Sequence, residues 1–176
     1  MTTSYRELIE DAQWFCDQAE DVQKGIKTLQ RFSTASILFS FMALESFIND
    51  MMSDFTVLPA GLLTPHELGF LSEKAVELTD SGKDAGRFEV TNKRHYQSLE
   101  YKIMFLVARF SGDTVDKGSS LWQRFQKIKD IRDSLTHPRK DNEPPPVSAD
   151  ADEAIGVAKD IIQLVSLKVW GKKVQF

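Results

Sequence analysis

Apolar residues return every third or fourth position over most of this chain, a spacing that places them on one face of a helix. From about Tyr5 to Lys24, Leu8, Ala12, Phe15 and Ala19 form such a face, and Gly25 breaks it. A longer helix follows over about Ile26 to Ser53, where Leu29, Phe32, Ser36 or Ile37, Phe41, Leu44, Ile48 and Met51 share one broad stripe. That breadth predicts the central core helix. Pro59-Ala60-Gly61 interrupts the pattern, and Thr64-Pro65-His66-Glu67 then supplies an N-cap hydroxyl, a first-turn proline and a third-position glutamate. A short third helix is expected from there to about Leu78.

Thr79 to Asn92, which contains Asp80-Ser81-Gly82-Lys83-Asp84-Ala85-Gly86, lacks a sustained period and is expected to be a mobile surface loop. Periodicity resumes with Tyr96, Leu99, Ile103, Leu106, Val107 and Phe110 and stops at Ser111-Gly112-Asp113. Another helix begins near Ser119 or Ser120 and buries Leu121, Trp122, Phe125, Ile128, Ile131 and Leu135, until Pro138 disfavours helical geometry at the residue before it. Pro144-Pro145-Pro146 is extended and stiff. A last helix over about Ala151 to Val169 takes its cap from Ser148 or Asp150, with Asp150 and Glu153 at capping-box spacing. The pattern offers no credible strand pair, internal repeat or glycine-rich phosphate loop. It predicts an all-α helical bundle, one domain over residues 1–176.

Composition adds bounds rather than a function. A chain of 176 residues, 41% hydrophobic and 27% charged, buries enough surface to stand without a disulfide or metal staple, and its twelve phenylalanines make an aromatic core. The single cysteine, Cys16, has no partner for an internal disulfide or a zinc site of ordinary spacing, and beside Trp14 and Phe15 it reads as a small core residue. No basic segment with an apolar run opens the chain, and the apolar stretch Ile37 to Ile48 is interrupted by Ser40, Glu45 and Ser46. The expectation is a cytoplasmic protein with no membrane contact. The net charge of -4 argues against indiscriminate binding of polyanions. Against it, Leu121 to Lys140 carries Arg124, Lys127, Lys129, Arg132, Arg139 and Lys140 with only Asp130 and Asp133, a local excess of about four positive charges.

That basic stretch ends in Arg132-Asp133-Ser134-Leu135-Thr136-His137. Histidine titrates near neutral pH and arginine presents a fixed fork that fits phosphate, so phosphate chemistry is the leading expectation. On an ideal helix Arg132 and His137 lie about 140° apart, so they do not converge unless the last turn loosens, which Thr136 and the following proline favour. Asp133 and His137 are spaced i,i+4, which lets the carboxylate reach the imidazole. Glu45 and Asn49, another i,i+4 pair, stand beside the apolar stripe of the second helix, where a carboxylate needs a partner. They either line a groove near Arg132 or, for Glu45, form an edge ion pair or contact water. The residues alone also allow a structural arrangement in which His137 caps the helix and Arg132 pairs with Asp133 or a carboxylate elsewhere. His66 and His95 have no second metal-binding residue at ligand spacing, and Trp122 and Phe125 are assigned to the core.

The arginine, polar residue, three-residue spacer and histidine of Arg132 to His137, at the end of a long helix and followed by proline, resemble the ribonuclease members of the HEPN (higher eukaryote and prokaryote nucleotide-binding) superfamily. The segment from Ala35 to Asn49 resembles the early helix of several bacterial members. The resemblance implies an antiparallel four-helix core with one or two further short helices, paired in a homodimer whose motifs face each other across a groove. It implies metal-independent cleavage of RNA by 2′-hydroxyl attack without a cofactor. His137 would be the general acid or base, Arg132 would stabilise phosphoryl charge, and Asp133 and Thr136 would orient the assembly, with Glu45 and Asn49 in support. Lys129, Arg139 and Lys140 would contact the RNA. A toxin or phage-defence role, with an antitoxin protein as partner, rests on the same analogy. A non-catalytic module of this type, binding RNA, nucleotide or protein, is the rival. A purely structural helical protein would instead tie up or disperse the cations from Arg124 to Lys140.

Overall fold

The longest stretch of helical spacing becomes the axis of the molecule. In the computed structural model, which describes residues 4–21, 25–137 and 145–176, α2 (Ile26–Thr56) packs against every other helix. Phe41, Leu44, Phe47, Ile48 and Met51 are buried along it, each such side chain contributing about 1.5–3 kcal/mol by leaving water. By length and hydropathy α2 would also suffice to cross a membrane, and half of that apolar window is buried inside this bundle.

α1 (Tyr5–Ala19) lies along α2 and starts with a capping box between Ser4 and Glu7. It closes at Ala19, and the expected end near Lys24 lies outside the described residues. The close approach of the two helices uses small polar residues: Ser36 is fully buried and donates to the Ala12 carbonyl across the interface at 2.8 Å. Cys16 is buried in the same seam, as expected, and burial, aided by Asp152, Glu20 and Asp17, pushes its thiol up to about 11. α4 (Leu99–Ser111), α5 (Ser120–Thr136) and α6 (Ser148–Trp170) complete the bundle, α5 and α6 running antiparallel with Lys127 opposite Asp150 and Arg124 opposite Glu153. Ser119 caps α5, and Phe125 and Trp122 are buried. α6 starts at Ser148; Asp150 accepts the Val147 N–H from its third position instead of being the cap.

The fold is the expected all-α bundle with one addition that periodicity missed. α3 (Pro65–Leu71) has the predicted Thr64 and Glu67 capping box but stops at Leu71 instead of continuing to about Leu78. Glu73 then takes a left-handed φ of 50°, and β1 (Lys74–Leu78) pairs antiparallel with β2 (Phe88–Arg94). Leu78 faces Phe88 and Val76 faces Val90, with an irregularity between Lys74 and Val76. Gly69 explains the change of direction. A Cβ there would stand 2.3 Å from the Val76 side chain and 3.0 Å from the Lys74 carbonyl, so only glycine lets β1 fold back over α3. The expected loop from Thr79 to Asn92 shrinks to the connection between the strands.

A candidate site at the end of the fifth helix

The Arg132 guanidinium is the most constrained part of the motif. Phe125 and Phe41 stack in the core with ring centres 6.2 Å apart, and the Arg132 guanidinium lies over the Phe41 ring at 5.1 Å. A cation over a desolvated aromatic face gains about 1–2 kcal/mol. Two carboxylates fix its rotation: Nη2 meets Glu45 Oε1 at 2.5 Å and Nη1 meets Asp133 Oδ1 at 3.0 Å. Arg132 is 24% exposed and Glu45 43%. A guanidinium has five N–H donors, so these two bonds leave three with no acceptor among the described residues.

His137 is exposed, at the point where α5 ends. Its backbone N–H donates to the Asp133 carbonyl at 2.9 Å, and its φ of -130° and ψ of 69° leave the helix. The expected contact between the Asp133 carboxylate and the imidazole is therefore not formed. The carboxylate goes to two cations instead, Arg132 and Lys129. Thr136 is likewise turned to the helix itself, its hydroxyl donating to the Arg132 and Asp133 carbonyls at 3.1 and 3.2 Å. It braces the last turn and so supports the position of His137. Five residues of helical rise separate Arg132 from His137 along the axis by about 7.5 Å.

Glu45 is brought to Arg132, one of the two placements its sequence allowed, and Asn49 is not. One turn farther along α2, Asn49 Oδ1 accepts from Lys102 Nζ at 2.8 Å, and Lys102 pairs with Glu73 at 2.7 Å. Burial pushes Glu73 up, but Lys102, the Gln97 N–H and Arg94 outweigh it and hold its carboxyl below the ordinary range. This partly buried pair anchors the hairpin to the bundle and is separate from the Arg132 cluster.

The basic stripe is largely neutralised. Arg124 bridges Glu153 at 2.5 Å and Asp160 at 3.2 Å, Lys127 lies 4.0 Å from Asp150, and Lys129 lies 3.2 Å from Asp133 and 4.0 Å from Glu100. Lys129, expected on the RNA, faces carboxylates of its own chain. Arg139 and Lys140 lie outside the described residues. Sequence reasoning missed Phe41 as the floor beneath Arg132 and Glu100 as the second partner of Lys129. Phe41 was legible in principle, since it stands i,i+4 to Glu45 on the same helix, whereas Glu100 meets α5 only through tertiary packing. Among the described residues no group of three or more His, Cys, Asp or Glu side chains is arranged to hold a metal ion. The chain matches no family model, no curated protein and no solved structure.

Proposed function

We propose that this protein is a HEPN-type, metal-independent endoribonuclease. The observation that carries the reading is the Arg132 guanidinium: seated on Phe41, bonded to Glu45 and Asp133, with three N–H donors that meet no acceptor among the described residues, on the helix that ends at the exposed His137. Donors held in place before the substrate arrives are what stabilises the charge that develops on a phosphoryl group. The 2′-hydroxyl of RNA attacks the adjacent phosphorus, the bond to the 5′-oxygen breaks, and the products are a cyclic phosphate and a free 5′-hydroxyl. His137 takes the proton from the 2′-oxygen or delivers one to the leaving oxygen.

One copy of the motif holds Arg132 and His137 apart, so the reading includes a homodimer in which two motifs share one groove. Met42, 48% exposed and three residues before Glu45 on α2, leaves apolar surface on that helix for such contact. An antitoxin partner, a toxin or phage-defence role and a cytoplasmic location belong to the same proposal, by analogy. Purified protein and its His137→Ala and Arg132→Ala variants, incubated with RNA in chelator, test it: cleavage by the parent and none by either variant, at unchanged helix content, is expected. Retained activity in both variants refutes it.

A second reading, a non-catalytic module of the same type, is favoured by the carboxylates that neutralise Arg124, Lys127 and Lys129. It predicts salt-dependent binding of RNA with no turnover in any variant.

A further inference from the structure

Lys129 stands on the helix face where a phosphate-binding lysine was expected, yet it is only 26% exposed and its ammonium is directed at carboxylates. Nζ lies 3.2 Å from Asp133 Oδ2 and 4.0 Å from Glu100 Oε1, and Glu100 is itself held by the Gln126 side-chain amide. Asp133 places its other oxygen, Oδ1, on Arg132 Nη1, and Arg132 places Nη2 on Glu45. Glu100, Lys129, Asp133, Arg132 and Glu45 thus form a row of alternating charge from α4 through α5 to α2.

The division of Asp133 between two cations has a consequence for Arg132. A carboxylate next to a guanidinium favours a two-pronged contact that uses both oxygens. Here Lys129 holds the second oxygen, so Arg132 gives Asp133 a single N–H. Were Lys129 neutral, Asp133 could take a second donor, draw the guanidinium from Glu45 and lower the local charge by one. We propose that Lys129 is a positioning residue that acts through Asp133 to keep the Arg132 donors free and aimed at phosphate. The inference deepens the ribonuclease reading and rests on it for its kinetic consequences.

Two other roles compete. A lysine that binds RNA directly would contribute one screened phosphate contact of its own. An ordinary i,i+4 ion pair would add a few tenths of a kcal/mol to the helix and leave Arg132 untouched.

The test compares Lys129→Met, Lys129→Arg, Asp133→Asn and the Lys129→Met/Asp133→Asn double variant on an unstructured RNA oligonucleotide. Positioning predicts that Lys129→Met lowers kcat about tenfold with KM within twofold, that Lys129→Arg restores most of it, and that Lys129→Met adds nothing in the Asp133→Asn background. Losses that multiply in the double variant, with a raised KM and a salt slope reduced by about 0.7, identify a direct phosphate contact and overturn the proposal. An unchanged kcat in Lys129→Met also overturns it. The Arg132 Nε–H resonance of the intact protein reports independently of activity: it should move or broaden in Lys129→Met and return in Lys129→Arg. Should the parent cleave no RNA while this signal behaves so, the ribonuclease reading fails and the positioning role stands. A signal unmoved by Lys129→Met overturns the positioning role, whether or not RNA is cut.

Discussion

Arg124 and Arg132 stand eight residues apart on α5, and each bridges two carboxylates, yet the two clusters have different surroundings. Arg124 reaches Glu153 and Asp160, both on α6, with a side chain 40% exposed. It staples two neighbouring helices at the surface. Arg132 is more buried, lies on Phe41, and takes its carboxylates from α2 and from the next residue in its own helix. The exposed His137 follows five residues later. An ion pair by itself therefore says little about function: each arginine uses two of its five N–H donors, and what sets Arg132 apart is the Phe41 ring beneath its guanidinium and its lower exposure.

The largest expected effect breaks the comparison at the site. Arg132→Ala and His137→Ala should each lower RNA cleavage by about a hundredfold or more, the range of a lost charge-stabilising donor or general acid-base group. Equal folding by circular dichroism must accompany the loss. The partly buried Lys102–Glu73 pair, away from Arg132, sets the scale for stability. Glu73→Gln removes the partner of Lys102 and should cost about 2 kcal/mol near neutral pH, read by urea unfolding. Because Glu73 is held below its ordinary pKa, the stabilisation exists above about pH 4.3, the unfolded value, and disappears as pH falls through the folded one. The gap between parent and variant should therefore close in acid; a gap that widens there contradicts the assignment.

Smaller effects sharpen the contrast. Glu45→Gln keeps the shape beside Arg132 but removes one charge, and should reduce cleavage about tenfold without unfolding the chain. A loss explained entirely by lowered stability counts against Glu45 as an orienting group. Arg124→Met should change stability by about 1 kcal/mol or less and leave cleavage within about twofold, as befits a half-exposed pair. If Arg124→Met removed activity as completely as Arg132→Ala, the two clusters would not differ as argued.

The helical periods, the Thr64 and Glu67 capping box and the core placement of Phe125 and Trp122 were all legible because each rests on local spacing. The hairpin was not. Lys74-Ala75-Val76-Glu77-Leu78 has the composition of a helix, and its burial as a strand does not alternate cleanly. What turns it into a strand is nonlocal: the left-handed Glu73, the Gly69 contact with Val76, and pairing with β2. The site divides the same way. Arg132, His137 and the approach of Glu45 could be anticipated from one helix and its neighbour, but the fate of Lys129 and Asn49 depends on Glu100 and Lys102, both from α4. Counting charges along one helix shows the i,i+4 partner of Lys129, Asp133, but not Glu100, which the fold brings across from α4.

Catalysis at the Arg132 and His137 end of α5 requires that RNA be cut and that the cut depend on His137. Incubating the parent protein and His137→Ala with mixed structured and single-stranded RNA in chelator, and identifying the product ends, tests it directly. Fragments with cyclic phosphate and 5′-hydroxyl ends from the parent, absent with the variant, are the predicted result. Cleavage that survives in His137→Ala, or RNA left intact by the parent, would contradict it.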